Sequence, residues 1–278
     1  MFDALAPGGQ VYFYAEVKRV KPILTHVVLK NINMKQTLSL LDKVDFLSGA
    51  FYPRVPSVPG VPRTMLLHAW RQKGKIPGGG FLAMSRQWKK TPSPSGANYW
   101  HSSRYGLSVS IQNKDALVSD GDPFIDGSPV EAPENLGELR RQALVVGWLE
   151  NAGAPINNFI AVMGLPVRIP VEQILFALYE VPGPEPESDT MYEVLLRAEA
   201  QNANQAKSLV SILALVRRAL QAEGLPEVPG MAPEFREIIR PFLVNPPGVD
   251  GSGLLIRTAP MTAPELALLL NRFTVYSP

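Results

Sequence analysis

Side chains that could perform acid–base or metal chemistry are few in this 278-residue chain and lie far apart. The three histidines, His26, His68 and His101, are separated from acidic residues and from one another along the sequence. There is no cysteine, so the residues present exclude disulfides, thiol nucleophiles and cysteine-based zinc or iron–sulfur sites. We therefore predict no catalytic residue, no metal site and no cofactor, unless folding assembles a cluster from distant residues.

One acidic loop partly matches a calcium-binding pattern. Asp120, Asp122 and Glu131 occupy positions 1, 3 and 12 of an EF-hand template. The template needs glycine at position 6, which this chain lacks, and position 5 is Phe124. The loop is therefore predicted to be a solvated turn rather than a calcium site.

Sequence motifs of common enzymes are absent. The chain has no G-x-S-x-G elbow, no phosphate-binding P-loop, no H-E-x-x-H helix and no G-x-G-x-x-G fingerprint after a strand. Gly78-Gly79-Gly80 precedes a predicted strand, Phe81–Gln87, so these glycines are not expected to place a helix N-terminus on a phosphate. We predict a protein that is not an enzyme, with a hydrolase assembled from distant residues as the enzymatic alternative.

Basic and aromatic residues alternate in the first half of the chain. Tryptophan and tyrosine beside lysine and arginine suit a lipid headgroup layer, where the ring lies at the interface and the cation meets anionic lipid. The same mixture would suit single-stranded nucleic acid, although we expect no nucleic-acid partner. Alternatively, the rings pack inward and the cations form a solvated rim. The candidate headgroup residues are Trp70, Lys73, Lys75, Trp88, Lys89 and Lys90.

Charge is distributed unevenly along the chain. Residues 1–114 contain 16 lysines and arginines and four acids, whereas residues 115–278 contain 11 bases and 21 acids, so the net charge of +2 hides two oppositely charged halves. A basic half points to an anionic partner such as a membrane surface. The alternative is that the two halves neutralise each other across an internal interface.

Hydrophobic periodicity predicts mostly strands in the first half and a mixture of strands and helices in the second. Between them the elements predict an α+β fold, a mostly antiparallel sheet with several amphipathic helices, in two abutting α/β halves at 1–130 and 131–278. The alternative is that the two halves form one continuous domain. The predicted strands are Gln10–Val17, Thr64–Arg71, Phe81–Gln87, Tyr99–Ser102, Gly106–Gln112, Ala116–Asp120, Gln142–Leu149 and Gly253–Thr258, with a hairpin of Val171–Val181 and Met191–Ala200. The predicted helices are Lys35–Val44, one that Ala154-Pro155 opens and Gly164 closes, Ala203–Ala222, Pro233–Phe242, and one from a capping box at Thr262 to Phe273.

The apolar faces of three predicted helices are candidate lipid contacts. Such faces usually pack on the protein's own sheet, but lightly charged aliphatic ones could open and lie in a bilayer interface. No apolar run is long enough for a spanning helix. The candidate residues are Ile156, Phe159, Ile160 and Met163; Leu209, Ile212, Leu213, Val216 and Leu220; and Phe235, Ile238, Ile239 and Phe242.

An ordered series of short motifs resembles one family. The motifs are Gly8–Tyr14, Ser48–Phe51, Ser85-Arg86 before Trp88, Asn98–Trp100 with Gly106–Ser110, Gly147–Glu150 and Pro170–Gln173. Together they resemble the treponemal concealed outer-membrane-associated lipoprotein over roughly residues 8–181. The resemblance implies a spirochaetal lipoprotein on the periplasmic face of the outer membrane, with helices that enter the bilayer, a cavity suited to lipids and no enzymatic activity. The leader and lipidated cysteine of such a precursor are not in this sequence.

These observations lead to two hypotheses. The first is a membrane-associated protein that binds anionic lipids or amphiphiles, with the basic half meeting headgroups and the helices of the acidic half supplying apolar surface. The second is a soluble periplasmic interaction module that binds a protein partner, whose identity the sequence leaves unknown.

Overall fold

The computed structural model describes residues 2–27, 38, 41–53, 64–77, 79–93, 95–124, 129–153, 157, 171–183, 189–221 and 240–276. The chain forms two compact units. The first unit contains Met1–Lys21 and Asn33–Gly137, and the second contains Pro22–Ile32 and Glu138–Pro278.

The first unit is built on antiparallel strands. Its strands are β1 (Val11–Glu16), β2 (Phe46–Phe51), β3 (Met65–Trp70), β4 (Lys89–Pro92), β5 (Asn98–Ser102), β6 (Leu107–Gln112) and β7 (Asp115–Ser119). They pair in the order β1-β2-β3-β7-β6-β5-β4, so β4 lies at the outer end. Tyr12 and Tyr14 alternate with half-buried residues and point into the core, as expected of a strand with one buried face.

The second unit pairs five strands and carries the two long helices. Its strands are β8 (Ala143–Glu150), β9 (Val171–Val181), β10 (Met191–Ala200), β11 (Gly248–Asp250) and β12 (Gly253–Arg257), in the order β8-β9-β10-β12-β11, and their pairs are antiparallel. The helices of the described chain are α1 (Val17–Leu24), α2 (Gly79–Met84), α3 (Leu136–Arg140), α4 (Ala203–Gln221) and α5 (Ala263–Tyr276). The expectation of an α+β protein with a mostly antiparallel sheet is confirmed.

Side chains cap both long helices where the sequence places capping residues. Glu265 Oε2 accepts the Thr262 backbone N–H at 2.8 Å, and Thr262 Oγ1 accepts the Glu265 N–H at 3.4 Å, which is a reciprocal capping box. At α4, Asn202 Oδ1 accepts the Gln205 N–H at 3.0 Å. The capping box predicted at Thr262 is confirmed.

The predicted strand at Phe81–Gln87 is wrong. Gly79–Met84 is instead helix α2, and a turn in which Ser85 O accepts the Trp88 N–H at 3.2 Å leads into β4. An apolar run this short fits a helical turn and a strand equally well, so periodicity alone could not separate them. Gly79 and Gly80 therefore begin a helix, although it has only six residues.

Several elements were not predicted, and two predictions lie outside the described residues. Strands β2, β4 and β11 and helices α1 and α3 had no prediction. Helix α1 escaped prediction because Pro22 lies inside it. The predicted helices between Ala154 and Gly164 and at Pro233–Phe242 lie outside the described residues, except for residue 157 and the helical turn at 240–243. The Lys35–Val44 helix is likewise described only in part. No helix in the described part of the chain is long and apolar enough to cross a membrane.

Gly49, in the middle of β2, is required by close packing. It lies between Phe13 of β1 and Leu67 of β3, directly opposite each. A Cβ at this position would lie 2.6 Å from Phe13 Cζ and 2.7 Å from Leu67 Cδ2. The absent side chain therefore makes room for the Phe13 ring.

We predict that Gly49→Ala lowers the free energy of unfolding by about 1–3 kcal/mol, because the ring must move off its packed position. Gly137→Ala is the matched control, since a Cβ there meets nothing within 4 Å. It should leave stability unchanged or raise it by up to about 1 kcal/mol. Urea denaturation measures both, and equal midpoints would contradict the packing argument.

Candidate membrane-contact surface

Two cationic segments of the first unit meet around a pair of aromatic rings. The Trp88 and Tyr105 rings lie with centroids 6.1 Å apart, and the Arg104 guanidinium lies 5.7 Å from the Tyr105 centroid. The Tyr105 hydroxyl donates to Gln87 Oε1 at 2.8 Å, which fixes the ring against the turn before β4. We call this the aromatic–cationic patch: Met84, Arg86, Trp88, Lys89, Lys90, Arg104 and Tyr105.

The patch is exposed and carries one sign of charge. Met84 is 88% exposed and Tyr105 53%, and the four basic side chains of the patch are also exposed. Within the described residues none of those four forms a salt bridge. The sequence has no aspartate or glutamate from residue 46 to residue 114, where it has ten lysines and arginines. The local positive potential therefore has no acidic neighbours in sequence to cancel it.

The sheet position of β4 gives its lysines a second explanation. Lys89 pairs with His101 and Lys90 with Trp100, and the opposite edge of β4 has no partner strand in the described chain. Lysine and proline on an edge strand prevent pairing with another molecule's strand. This role explains Lys89, Lys90 and Pro92, but it does not explain the exposed Met84 or the Trp88–Tyr105 pair.

Trp70 belongs to a different cluster from Trp88. Its ring packs on Tyr14, Phe46 and His68, with centroids 5.8, 5.3 and 4.9 Å away. Lys73 and Lys75 follow it in an exposed connection, where Lys75 O accepts Arg71 Nη1 at 3.0 Å. The structure thus brings Trp88 together with Arg104 and Tyr105, with Lys89 and Lys90 following it in β4, and leaves Trp70 in the sheet.

The candidate lipid residues of α4 pack on the sheet of the second unit. Leu209 is 3% exposed in a cluster with Ala198, Ala206 and Leu254, and Leu213 packs against that cluster. Ile212 and Phe242 are half-buried. Val216 and Leu220 lie in α4, but their side chains are outside the described set, as are Ile156, Phe159, Ile160, Met163, Phe235, Ile238 and Ile239. Any lipid contact of Leu209 therefore requires α4 to move away from the strands.

One arginine ties α4 to the chain that follows it. Arg217 Nε donates to Leu243 O at 2.8 Å, and its Nη2 donates to Val244 O at 2.9 Å. The neighbouring Arg218 is exposed. Arg217 thereby satisfies carbonyl groups at the end of the 240–243 helical turn and holds this turn beside α4.

Folding brings one histidine to an acid that is distant in sequence. His68 Nε2 lies 2.9 Å from Asp115 Oδ1, and Ser48 is directly opposite His68 on β2. Ser48 is fully buried, and neither Ser48 Oγ nor His68 Nδ1 has a hydrogen-bond partner in the described residues. Serine, histidine and aspartate form the catalytic residues of many hydrolases. Acyl transfer needs a nucleophile that hydrogen bonds to its base and reaches the substrate, and Ser48 does neither.

The carboxylates of the acidic loop accept hydrogen bonds from other groups of the protein. Asp120 accepts the Thr64 N–H at 2.9 Å, and Asp122 accepts the Ser93 hydroxyl at 2.7 Å and the Phe124 N–H at 2.9 Å. Hydrogen bonds from Thr64 and Met65 hold the pKa of Asp120 below its ordinary value, although its burial acts in the opposite direction. Among the described residues no group of three or more acids or histidines could hold a metal ion.

We predict that Leu209→Ala lowers the free energy of unfolding by about 2–5 kcal/mol, because it leaves a cavity between α4 and the sheet. Leu268→Ala on α5, where the leucine is 53% exposed, should cost less than about 1 kcal/mol. Equal losses in thermal or urea denaturation would mean that Leu209 is not packed as described.

Comparison with known proteins identifies similar folds only. No family model and no curated protein matches the sequence. Crystal form IV of the treponemal protein TP0453 matches with a TM-score of 0.58 at 16% identity, covering 97% of this chain and 96% of that one. Form III matches with a TM-score of 0.56 at 15% identity and 97% coverage of each chain, and form I with 0.56 at 16% identity, covering 99% and 97%. The chain therefore has a TP0453-like fold over nearly its whole length.

Proposed function

We propose that this protein is a membrane-associated lipid-binding protein that acts on the periplasmic face of an outer membrane and performs no catalytic step. The observation that carries the proposal is the aromatic–cationic patch. Its exposed cations would meet anionic headgroups, while Met84 and the Trp88–Tyr105 pair would enter the interfacial layer. The motif series shared with the treponemal lipoprotein family supports the location.

Two contributions to membrane binding are combined in the patch, electrostatic attraction and apolar insertion. Each basic residue near an anionic bilayer contributes about 1 kcal/mol at moderate ionic strength. Aromatic rings with a polar edge favour the headgroup layer, and an exposed methionine adapts to irregular apolar surroundings. A solvated rim of lysines explains the charge but gives no reason for leaving Met84 in water.

Flotation with vesicles tests the proposal. The protein should float with vesicles of phosphatidylglycerol and phosphatidylcholine at low salt, and less at high salt because exposed charges are screened. Trp88 emission should shift to the blue, and Trp88→Phe should remove the shift. Failure to float with anionic vesicles at low salt would refute the proposal and leave the soluble interaction module, to be tested by partner pull-down.

A charge-matched pair of triple variants locates the contact. Arg86→Gln with Lys89→Gln and Lys90→Gln should weaken vesicle binding by about 100-fold, at about 1 kcal/mol for each cation. The control is Lys43→Gln with Lys207→Gln and Arg218→Gln, which removes the same charge from exposed positions elsewhere. Equal losses in the two variants would show that net charge, rather than the patch, attracts the membrane.

A second pair of variants tests whether α4 contributes to lipid binding. Arg217→Gln removes two hydrogen bonds to backbone carbonyls, which together stabilise the packed helix by about 1–3 kcal/mol. If α4 must leave the sheet, this variant should bind vesicles up to about tenfold more tightly, while Arg218→Gln should not. Unchanged binding of Arg217→Gln would mean that release of α4 is not part of the function.

A further inference from the structure

The second unit contains a cleft that the membrane proposal does not use. Its volume is about 420 Å³, which lies within the range of small-molecule sites. It lies where α3 leads into β8, beside the ends of β9, β10 and β12. The lining residues are Glu138, Leu139, Arg141, Gln142, Tyr179, Glu180, Val181, Glu193 and Arg257.

The sheet register places three of these residues together. Glu193 of β10 is directly opposite Tyr179 of β9, and Arg257 of β12 is opposite Leu195, two residues further along β10. Paired residues point to the same face, and so do residues two apart on one strand. Tyr179, Glu193 and Arg257 therefore share one face of the sheet at the cleft.

Hydrogen bonds within the protein hold these three side chains in place. The Tyr179 hydroxyl donates to Leu139 O at 2.9 Å, and Arg257 Nη1 donates to Glu193 Oε1 at 2.6 Å. Burial raises the pKa of Tyr179, with the nearby charges of Arg257 and Glu193 acting in opposite directions, so the phenol stays neutral. Glu193 is only 16% exposed, whereas Arg257 is 52% exposed and keeps N–H groups toward solvent.

Two other charged side chains at the cleft have no partner among the described residues. Arg141 and Glu138 are exposed, and no described residue forms a hydrogen bond or ion pair with either side chain. With Arg257 they present two guanidinium groups and a carboxylate at the cleft. A ligand of one charge would be attracted by one set of groups and repelled by the other, whereas a zwitterion matches both.

We propose that this cleft binds a zwitterion of the phosphoethanolamine type. Its oxyanion is held by Arg257 and Arg141, whose planar guanidinium groups suit phosphate oxygens. Its ammonium group lies beside Glu138, against the face of Tyr179. The same chemical group could come from a free metabolite or from a lipid headgroup, and the site does not depend on membrane binding.

Calorimetric titration of the full chain with three soluble probes tests the site. Glycerophosphoethanolamine should bind at least about tenfold more tightly than glycerol phosphate, which lacks the cation, or ethanolamine, which lacks the anion. Equal affinity for glycerol phosphate would overturn the proposal in favour of a plain anion site. No heat with glycerophosphoethanolamine at millimolar concentration would overturn it outright.

Two exposed substitutions locate the binding without disturbing the fold. Arg141→Gln and Glu138→Gln should each weaken binding of glycerophosphoethanolamine by about 5- to 20-fold, since each removes one charged contact. Lys207→Gln and Glu172→Gln are the matched controls, since both residues are exposed and neither lines the cleft. Equal effects in variants and controls would place the binding elsewhere and refute the assignment.

Vesicle competition identifies the source of the zwitterion. Phosphatidylethanolamine vesicles that displace glycerophosphoethanolamine better than phosphatidylcholine vesicles would indicate a lipid headgroup, and no displacement would indicate a soluble ligand. Because the titration contains no membrane, loss of zwitterion binding with intact flotation on anionic vesicles would refute this inference alone.

Discussion

A fixed antiparallel register in the second unit determines which chemistry lies on each side of its strands. Ile174 of β9, Ala198 of β10 and Leu254 of β12 align across the sheet and lie under α4. The intervening residues, which include Arg197 and Glu199, point to the opposite face. A slip of one residue in β10 would put these charges under Leu209, at the cost of burying ions in an apolar cluster.

On the opposite face of the sheet, charged side chains pair with one another in this register. Arg197 donates to Glu199 Oε1 at 2.6 Å and to Asp250 Oδ2 at 2.8 Å, and its side chain is only 11% exposed. Burial would lower the pKa of Arg197, but the hydrogen bond with Glu199 and the charges of Glu199 and Asp250 raise it. Gly253 leaves room for the guanidinium, because a Cβ there would lie 2.8 Å from Arg197 Nε. Removal of Glu199 or Asp250 would leave this buried cation without a counter-charge, which is destabilising.

Local signals in the sequence were sufficient to predict those elements whose interacting residues are close together along the chain. The β9–β10 hairpin and the Thr262 capping box follow from period-two alternation and from a spacing of three residues. Strand β2 escaped prediction because Ser48 and Gly49 interrupt its apolar pattern, and their places become clear only once Phe13 and Leu67 flank them. Trp88 was identifiable as a candidate, but its contact with Tyr105 depends on how β4, β5 and β6 pair. The cleft was not predictable, since it joins residues from α3, β9, β10 and β12 that share no motif.

The proposed membrane function depends on polar contacts more than on apolar ones. Moving the buried face of α4 from the sheet into a bilayer keeps that face out of water in both states, so the hydrophobic term largely cancels where lipid also covers the strand face at Ala198 and Leu254. The terms that do not cancel are the hydrogen bonds of Arg217 to Leu243 and Val244, which the packed state keeps. These few contacts would set the threshold for release, and attraction of the aromatic–cationic patch to an anionic surface would determine where release occurs. A protein built this way would keep its apolar surface packed in water and expose it only beside lipid.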